Sequence, residues 1–81
     1  MHTDRPFVKS TFCKYVREFR CREKLSKAKM AERLHMDPSS YSALEKGVYG
    51  PSGATLILFI LQLSPQEQPV FLSKFQGLLG P

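Results

Sequence analysis

The chain has 81 residues, of which 42% are hydrophobic, and a formal net charge of +5. This length and apolar content predict one small globular domain with a single modest core. The longest apolar run, LILFIL at residues 56–61, is far too short to span a bilayer. Charges in the N-terminal MHTDRPFVKS argue against a signal peptide, so we expect a cytoplasmic protein without a membrane segment.

The positive charge is concentrated in the first half of the chain. Residues 1–46 contain eleven of the twelve Lys and Arg and six of the seven Asp and Glu, whereas residues 47–81 contain one of each. This distribution favours an anionic partner, of which nucleic acid is the commonest. From charge alone, cations that only solvate helix surfaces are an equally good explanation.

The two cysteines predict neither a disulfide nor a metal site. Cys13 and Cys21 lie in one predicted helix, about 12 Å apart along its axis, which is beyond disulfide reach. We therefore expect free thiols in a reducing compartment. No second Cys/His pair occurs at ligand spacing, and His2 and His35 are isolated, so no metal or other cofactor is expected.

Five helices and no strand are predicted. The first covers residues 7–23, where Val8, Phe12, Val16 and Phe19 recur at helical spacing and form the side that faces the core. Cations cover the remaining surface of this helix: Lys9, Lys14, Arg17, Arg20 and Arg22.

The middle of the chain predicts two short helices joined by a tight turn. Ser26 is the N-cap of the second helix, which runs to about His35. Asp37 is the N-cap of the third helix, which covers about residues 38–46. Pro38 fits the first helical position, where no amide donor is needed, and Gly47 ends the helix. Two such helices beside a basic surface are what a helix-turn-helix unit requires, in which the second helix enters the major groove.

Two further helices are predicted in the apolar second half. The fourth starts after Ser52 and covers residues 53–63; its apolar side chains point in all directions, so it must be covered on two sides. The SPQE sequence has the form of a capping box for a fifth helix at about residues 65–79. Either the first turn is separate and the fifth helix begins near Pro69, or the helix is kinked at Pro69. We expect the fifth helix to pack on the core of residues 8–63 or on a dimer partner.

Several short motifs stand at a fixed spacing: Val16-Arg17-Glu18, Leu25-Ser26, Met30-Ala31, Leu34, Leu44-Glu45-Lys46-Gly47, Pro51-Ser52 and Leu56. With them, the sequence from about Phe12 to Leu63 resembles the lambda-repressor-like, Cro-type helix-turn-helix proteins, which include regulators of the xenobiotic-response-element type. The resemblance implies an all-α fold, a compact five-helix domain over residues 1–81 with helices two and three as the helix-turn-helix.

The resemblance also implies roles for individual residues. Ala31 lies where helices two and three approach closely, Tyr41 and Leu44 point inward, and Glu45 is structural, forming hydrogen bonds near the start of the following loop. Helix three enters the major groove of double-stranded DNA. The residues expected to contact DNA are Lys27, Ser39, Ser40, Ser42, Ala43, Lys46 and Tyr49.

Three features depart from the family pattern. His35 occupies a turn position where the family has Gly, and a left-handed backbone there costs His about 1 kcal/mol. Lys27 replaces a Gln at the start of helix two, which keeps a phosphate contact but loses the paired donor and acceptor of the amide. Helix three has none of the bidentate Arg, Gln or Asn side chains that discriminate bases best, so direct readout is expected to be weak.

These observations favour a sequence-selective DNA-binding transcriptional regulator, a repressor that acts as a homodimer with helix three of each subunit in successive major grooves. The alternative is a protein-interaction module on the same scaffold, such as an antitoxin, antirepressor or accessory subunit, with a protein partner at the apolar C-terminal surface. An enzyme is not expected, because the sequence has no Ser/His/Asp or Cys/His constellation, paired carboxylates or Gly-rich phosphate loop.

Overall fold

The structure, a computed structural model, describes residues 6–79. Five α-helices follow one another and end in a single 3-10 turn: α1 Pro6–Arg22, α2 Lys27–Arg33, α3 Pro38–Glu45, α4 Gly53–Ile60, α5 Glu67–Ser73 and the turn Gln76–Leu79. No strand occurs within residues 6–79, so the predicted all-α class is confirmed. Across the same range, every helix is too short or too polar to cross a membrane.

Three predicted N-caps are confirmed by their hydrogen bonds. The side chains of Ser26, Asp37 and Ser52 each accept the backbone N–H three residues further along, at 3.0, 3.2 and 3.1 Å. Each cap satisfies one of the donors that the first turn of a helix leaves without a partner. The starts of α2, α3 and α4 are therefore fixed by the local sequence.

Helix α5 begins near Pro69, which agrees with one of the two predicted alternatives. The capping box is present: Ser64 Oγ accepts the N–H of Glu67 at 3.2 Å, and Glu67 Oε1 accepts the N–H of Ser64 at 3.5 Å. The helix begins at Glu67, after a turn at residues 65–66, so Pro69 is its third residue. A proline fits there because the first-turn amides need no helical partner.

All five helices contribute side chains to one core. Phe12 of α1, Phe59 of α4 and Phe71 of α5 are fully buried, with ring centroids 5.4 Å apart for Phe12 and Phe59 and 5.2 Å apart for Phe59 and Phe71. Both pairs are edge-on, which adds about 1 kcal/mol per pair beyond the burial itself. The C-terminal helix thus packs on the same core as α1 and α4.

Helix α4 is covered on one side only within the described residues. Phe59 is fully buried, but Ile57 and Leu61 are 60% and 70% exposed. The expectation of cover on two sides was wrong for the isolated chain, because α5 covers the Phe59 side and nothing in residues 6–79 covers the other. An apolar strip of α4 therefore remains at the surface.

Candidate nucleic-acid interface

The turn between α2 and α3 closes with a residue in the left-handed region. His35 has a φ of 57°, as predicted from its place where a glycine is usual. The N–H of Met36 donates to the carbonyl of Ala31 at 3.0 Å, which returns the chain toward α2. This ends α2 at Arg33, two residues before the predicted end. Ala31 is fully buried, and its small side chain lets the two helices approach closely.

Helix α3 has a buried side and an open side. Tyr41 and Leu44 are 0% and 1% exposed, which confirms their predicted inward orientation. The open side carries most of the predicted DNA contacts: Ser39 and Lys46 are exposed, and Ser40, Ser42 and Ala43 are half-buried. These side chains are short, so DNA must approach the helix backbone closely to contact them.

The hydroxyl protons at the start of α3 are directed to one carboxylate. Ser39 Oγ donates to Asp37 Oδ2 at 2.6 Å, and Ser40 Oγ donates to Asp37 Oδ1 at 2.7 Å. Hydrogen bonds from Ser39 and Ser40 lower the pKa of Asp37 to about 2. The carboxylate therefore stays ionised at neutral pH, and the serine oxygens keep their lone pairs for another donor.

A buried ion pair joins the end of α3 to α1. Arg20 Nε donates to Glu45 Oε2 at 2.8 Å and Arg20 Nη2 to Glu45 Oε1 at 3.0 Å, while Arg20 Nη1 donates to the carbonyl of Leu25 at 3.0 Å. Tyr41 also donates its hydroxyl to Glu45. The structural role expected of Glu45 is present, and its hydrogen-bond partners, which the sequence did not identify, lie on α1 and within α3. Arg20, expected on the surface, has a side chain only 16% exposed.

This arrangement holds Glu45 in its charged form. Burial alone would raise the pKa of Glu45, but the hydrogen bonds from Arg20 and Tyr41 and the charge of Arg20 together lower it. Burial raises the pKa of Tyr41, and the neighbouring carboxylate raises it further. The sequence held no signal for the pair, because spacing within one helix does not identify a partner on another helix.

Two of the predicted phosphate contacts are exposed cations close to the helix-turn-helix. Lys27 is the exposed first residue of α2, and Lys46 is exposed directly after α3. Neither takes part in an ion pair within residues 6–79, whereas Lys29 of α2 lies 3.7 Å from Glu32. The charge of Lys27 is close enough to Glu45 to contribute to its lowered pKa. Lys27 and Lys46 therefore add positive charge that no ion pair within residues 6–79 compensates.

Tyr49 lies in the loop after α3 and folds back onto that helix. Its hydroxyl donates to the carbonyl of Ser40 at 2.6 Å, and its side chain is 38% exposed. Gly47, with a φ of 78°, makes the sharp exit from α3 that this return needs. Tyr49 thus braces the loop against the helix through its only hydroxyl proton.

Comparison with known proteins points to the same region. A helix-turn-helix family model matches residues 16–63, more than half of the chain. The match contains all of α2, α3 and α4 and ends before α5. No curated protein and no solved structure matches the chain at a significant level.

Proposed function

Because this chain belongs to the helix-turn-helix family of the Cro/C1 type, whose members are DNA-binding regulators, we propose that it is a sequence-selective transcriptional repressor. Membership confirms the lambda-repressor-like fold predicted from the motifs. The observation that carries the proposal is the open side of α3, which presents short polar side chains, together with two exposed cations that form no ion pair within residues 6–79, Lys27 and Lys46.

In this proposal, α3 enters the major groove of double-stranded DNA. Ser39, Ser40, Ser42 and Ala43 face the base edges, where serine oxygens form hydrogen bonds and the alanine methyl contacts a thymine methyl. Lys27 and Lys46 contact phosphates on the two sides of the groove. Tyr49 is the remaining predicted DNA contact. To donate to a phosphate, its hydroxyl must first break the hydrogen bond to the carbonyl of Ser40.

The selectivity of such a helix is modest. No side chain on the open side of α3 can form a bidentate hydrogen bond with a base, the contact that discriminates bases best. We therefore propose that the shape and deformability of the operator contribute to recognition, beside the contacts of Ser39 and Ser42.

We propose that the protein acts as a homodimer that binds two half-sites about 34 Å apart. Exposed apolar side chains support a partner on α4 or on α5: Ile57 and Leu61 of α4 and Val70 and Leu72 of α5 are all at least half exposed. Residues 47–81 carry only one acidic and one basic residue, so two copies can meet there without repulsion between like charges.

The proposed location is the cytoplasm, and the proposed role is binding without catalysis. The two cysteines are free, with Cys13 half-buried and Cys21 exposed, which suits a reducing compartment. Among residues 6–79, no three His, Cys, Asp or Glu side chains are grouped so that they could hold a metal ion.

The exposed apolar surface also supports a second candidate function. An antitoxin, antirepressor or accessory subunit would use that surface for a different protein and keep the helix-turn-helix only as a scaffold. Recovery of one stoichiometric protein partner, together with the same affinity for every DNA sequence, would favour this candidate over the repressor.

The direct test of DNA binding is a salt titration with a labelled duplex. The logarithm of the binding constant should fall linearly with the logarithm of salt concentration, and Lys27→Gln and Lys46→Gln should each reduce the slope by about 0.9. Exchanging Lys29, which is paired with Glu32, provides a matched control in α2. Absence of salt-dependent binding to any duplex at low ionic strength would reject the proposal.

A further inference from the structure

One side of α1 lies against the end of α3. Cys13 Sγ is 3.5 Å from the position that a Cβ atom would occupy at Gly47, directly after α3. About two turns further along α1, Arg20 binds Glu45 with two hydrogen bonds of 2.8 and 3.0 Å. These two contacts define the side of α1 that faces the exit of the proposed recognition helix.

Arg17 lies on the same side, between those two contacts. It follows Cys13 by four positions and precedes Arg20 by three, the spacings that place helical residues on one face. Unlike Arg20, Arg17 is exposed and forms no ion pair within residues 6–79. Its guanidinium group is therefore available to a partner outside the chain.

The charges at this junction are not balanced. Glu45 is the acidic residue at the end of α3, and Arg20 already binds both of its oxygens. The charge of Lys27 acts on the same carboxylate, and Lys46 is exposed directly beside it in the sequence. Arg17 is therefore a third cation without an ion-pair partner in residues 6–79, after Lys27 and Lys46, beside a pair of Arg20 and Glu45 that has no net charge. Such a cluster of positive charge favours the binding of an anion.

We propose that Arg17 contacts a phosphate of the DNA backbone beside the recognition helix, which makes α1 a third element of the DNA interface with α2 and α3. This inference rests on the proposed function. A guanidinium group suits the role because its planar fork binds phosphate oxygens in pairs. The contact positions the protein on the duplex and does not discriminate bases.

The opposite side of α1 provides the control. Lys74 of α5 holds its ammonium group 5.8 Å from the centre of the Tyr15 ring, and Tyr15 packs on Phe71 on the α5 side of α1. A Lys74→Gln exchange removes the same charge as Arg17→Gln but at a surface away from α3. The two variants separate a local phosphate contact from a general effect of net charge.

The test measures the binding of several duplexes by the full chain over a range of salt concentrations. Arg17→Gln should weaken binding about five- to tenfold near 0.1 M salt, equally for every sequence, and reduce the salt slope by about 0.9. Arg17→Lys should keep the slope, and Lys74→Gln should change it much less.

An unchanged slope for Arg17→Gln, in a protein whose slope does fall with Lys46→Gln, would overturn the role of Arg17 and leave the proposed function intact. Equal losses for Arg17→Gln and Lys74→Gln would also overturn it, because the effect would then follow net charge. Wild-type protein that binds no duplex would overturn both the inference and the proposed function.

Discussion

The hydrogen bond from Ser39 to Asp37 limits what α3 can offer to a base. Since the hydroxyl proton is donated to the carboxylate at 2.6 Å, the oxygen of Ser39 remains as an acceptor. In the major groove, the matching donors are the amino groups of adenine and cytosine. We therefore predict that Ser39 recognises one of these amino groups.

Base analogues test this prediction. Replacing the recognised adenine with purine, which lacks the amino group, should weaken binding by about 1 kcal/mol, whereas 7-deazaadenine should have little effect. Loss of affinity with 7-deazaadenine but not with purine would show that Ser39 donates. The variant Ser39→Ala serves as the control, because it should respond to neither analogue.

The hydrogen bonds from Ser39 and Ser40 to Asp37 make the stability of the fold depend on pH in the acid range. The pKa of Asp37 is lowered from 3.8 to about 2 in the folded chain, so the unfolded chain takes up the proton first as pH falls. The stabilisation from this carboxylate is complete above about pH 4 and disappears toward pH 2.

The melting temperature of Asp37→Asn should therefore fall less over this range than that of the wild type. Identical profiles for wild type and Asp37→Asn would contradict the assignment.

The contact between α1 and α3 depends on Glu45. Glu45→Ala would leave Arg20 and the Tyr41 hydroxyl in the interior without their shared partner, and we expect a loss of about 3 kcal/mol in the free energy of unfolding. Tyr41→Phe removes only one hydrogen bond and should cost about 1 kcal/mol. Urea denaturation measures both, with the exposed Glu32→Ala as a control. Equal stability of Glu45→Ala and wild type would mean that the ion pair does not hold the helices together.

Helix starts were predictable from the sequence, whereas several helix ends and the ion pair were not. A cap such as Ser26 or Asp37 binds an amide only three residues away, so its chemistry is local. Helix α4 ends at Ile60 instead of Leu63, although the apolar pattern continues. The partner of Glu45 is 25 positions away, and only the crossing of α1 and α3 decides that Arg20 reaches it.

The site was predictable to a similar degree. The family resemblance implied that Tyr41 and Leu44 point inward and that Ser39 and Lys46 are accessible, and the structure buries the first two and exposes the others. The direction of the serine protons depends on side-chain geometry that no periodicity contains. The extent of the domain, residues 1–81, and the set of DNA contacts remain predictions.

The exposed apolar strip on α4, formed by Ile57 and Leu61, should determine whether the protein is a dimer. If two copies meet there, wild-type protein sediments as a dimer, and exchanging both Ile57 and Leu61 for Glu produces a folded monomer with weaker DNA binding. Val48, which is 65% exposed in the loop after α3, offers a control, since Val48→Glu should leave the dimer intact. A dimer that survives both exchanges in α4 would place the interface elsewhere.

Selection of binding sites from a randomised duplex pool, with wild-type protein and Ser39→Ala at two salt concentrations, tests the central proposal most directly. We predict enrichment of a palindromic sequence with half-sites about one helical turn apart, and a change at specific positions when Ser39 is exchanged. No enrichment in either protein, with weak binding that disappears as salt rises, would contradict a sequence-selective regulator and leave the helix-turn-helix as a scaffold for a protein partner.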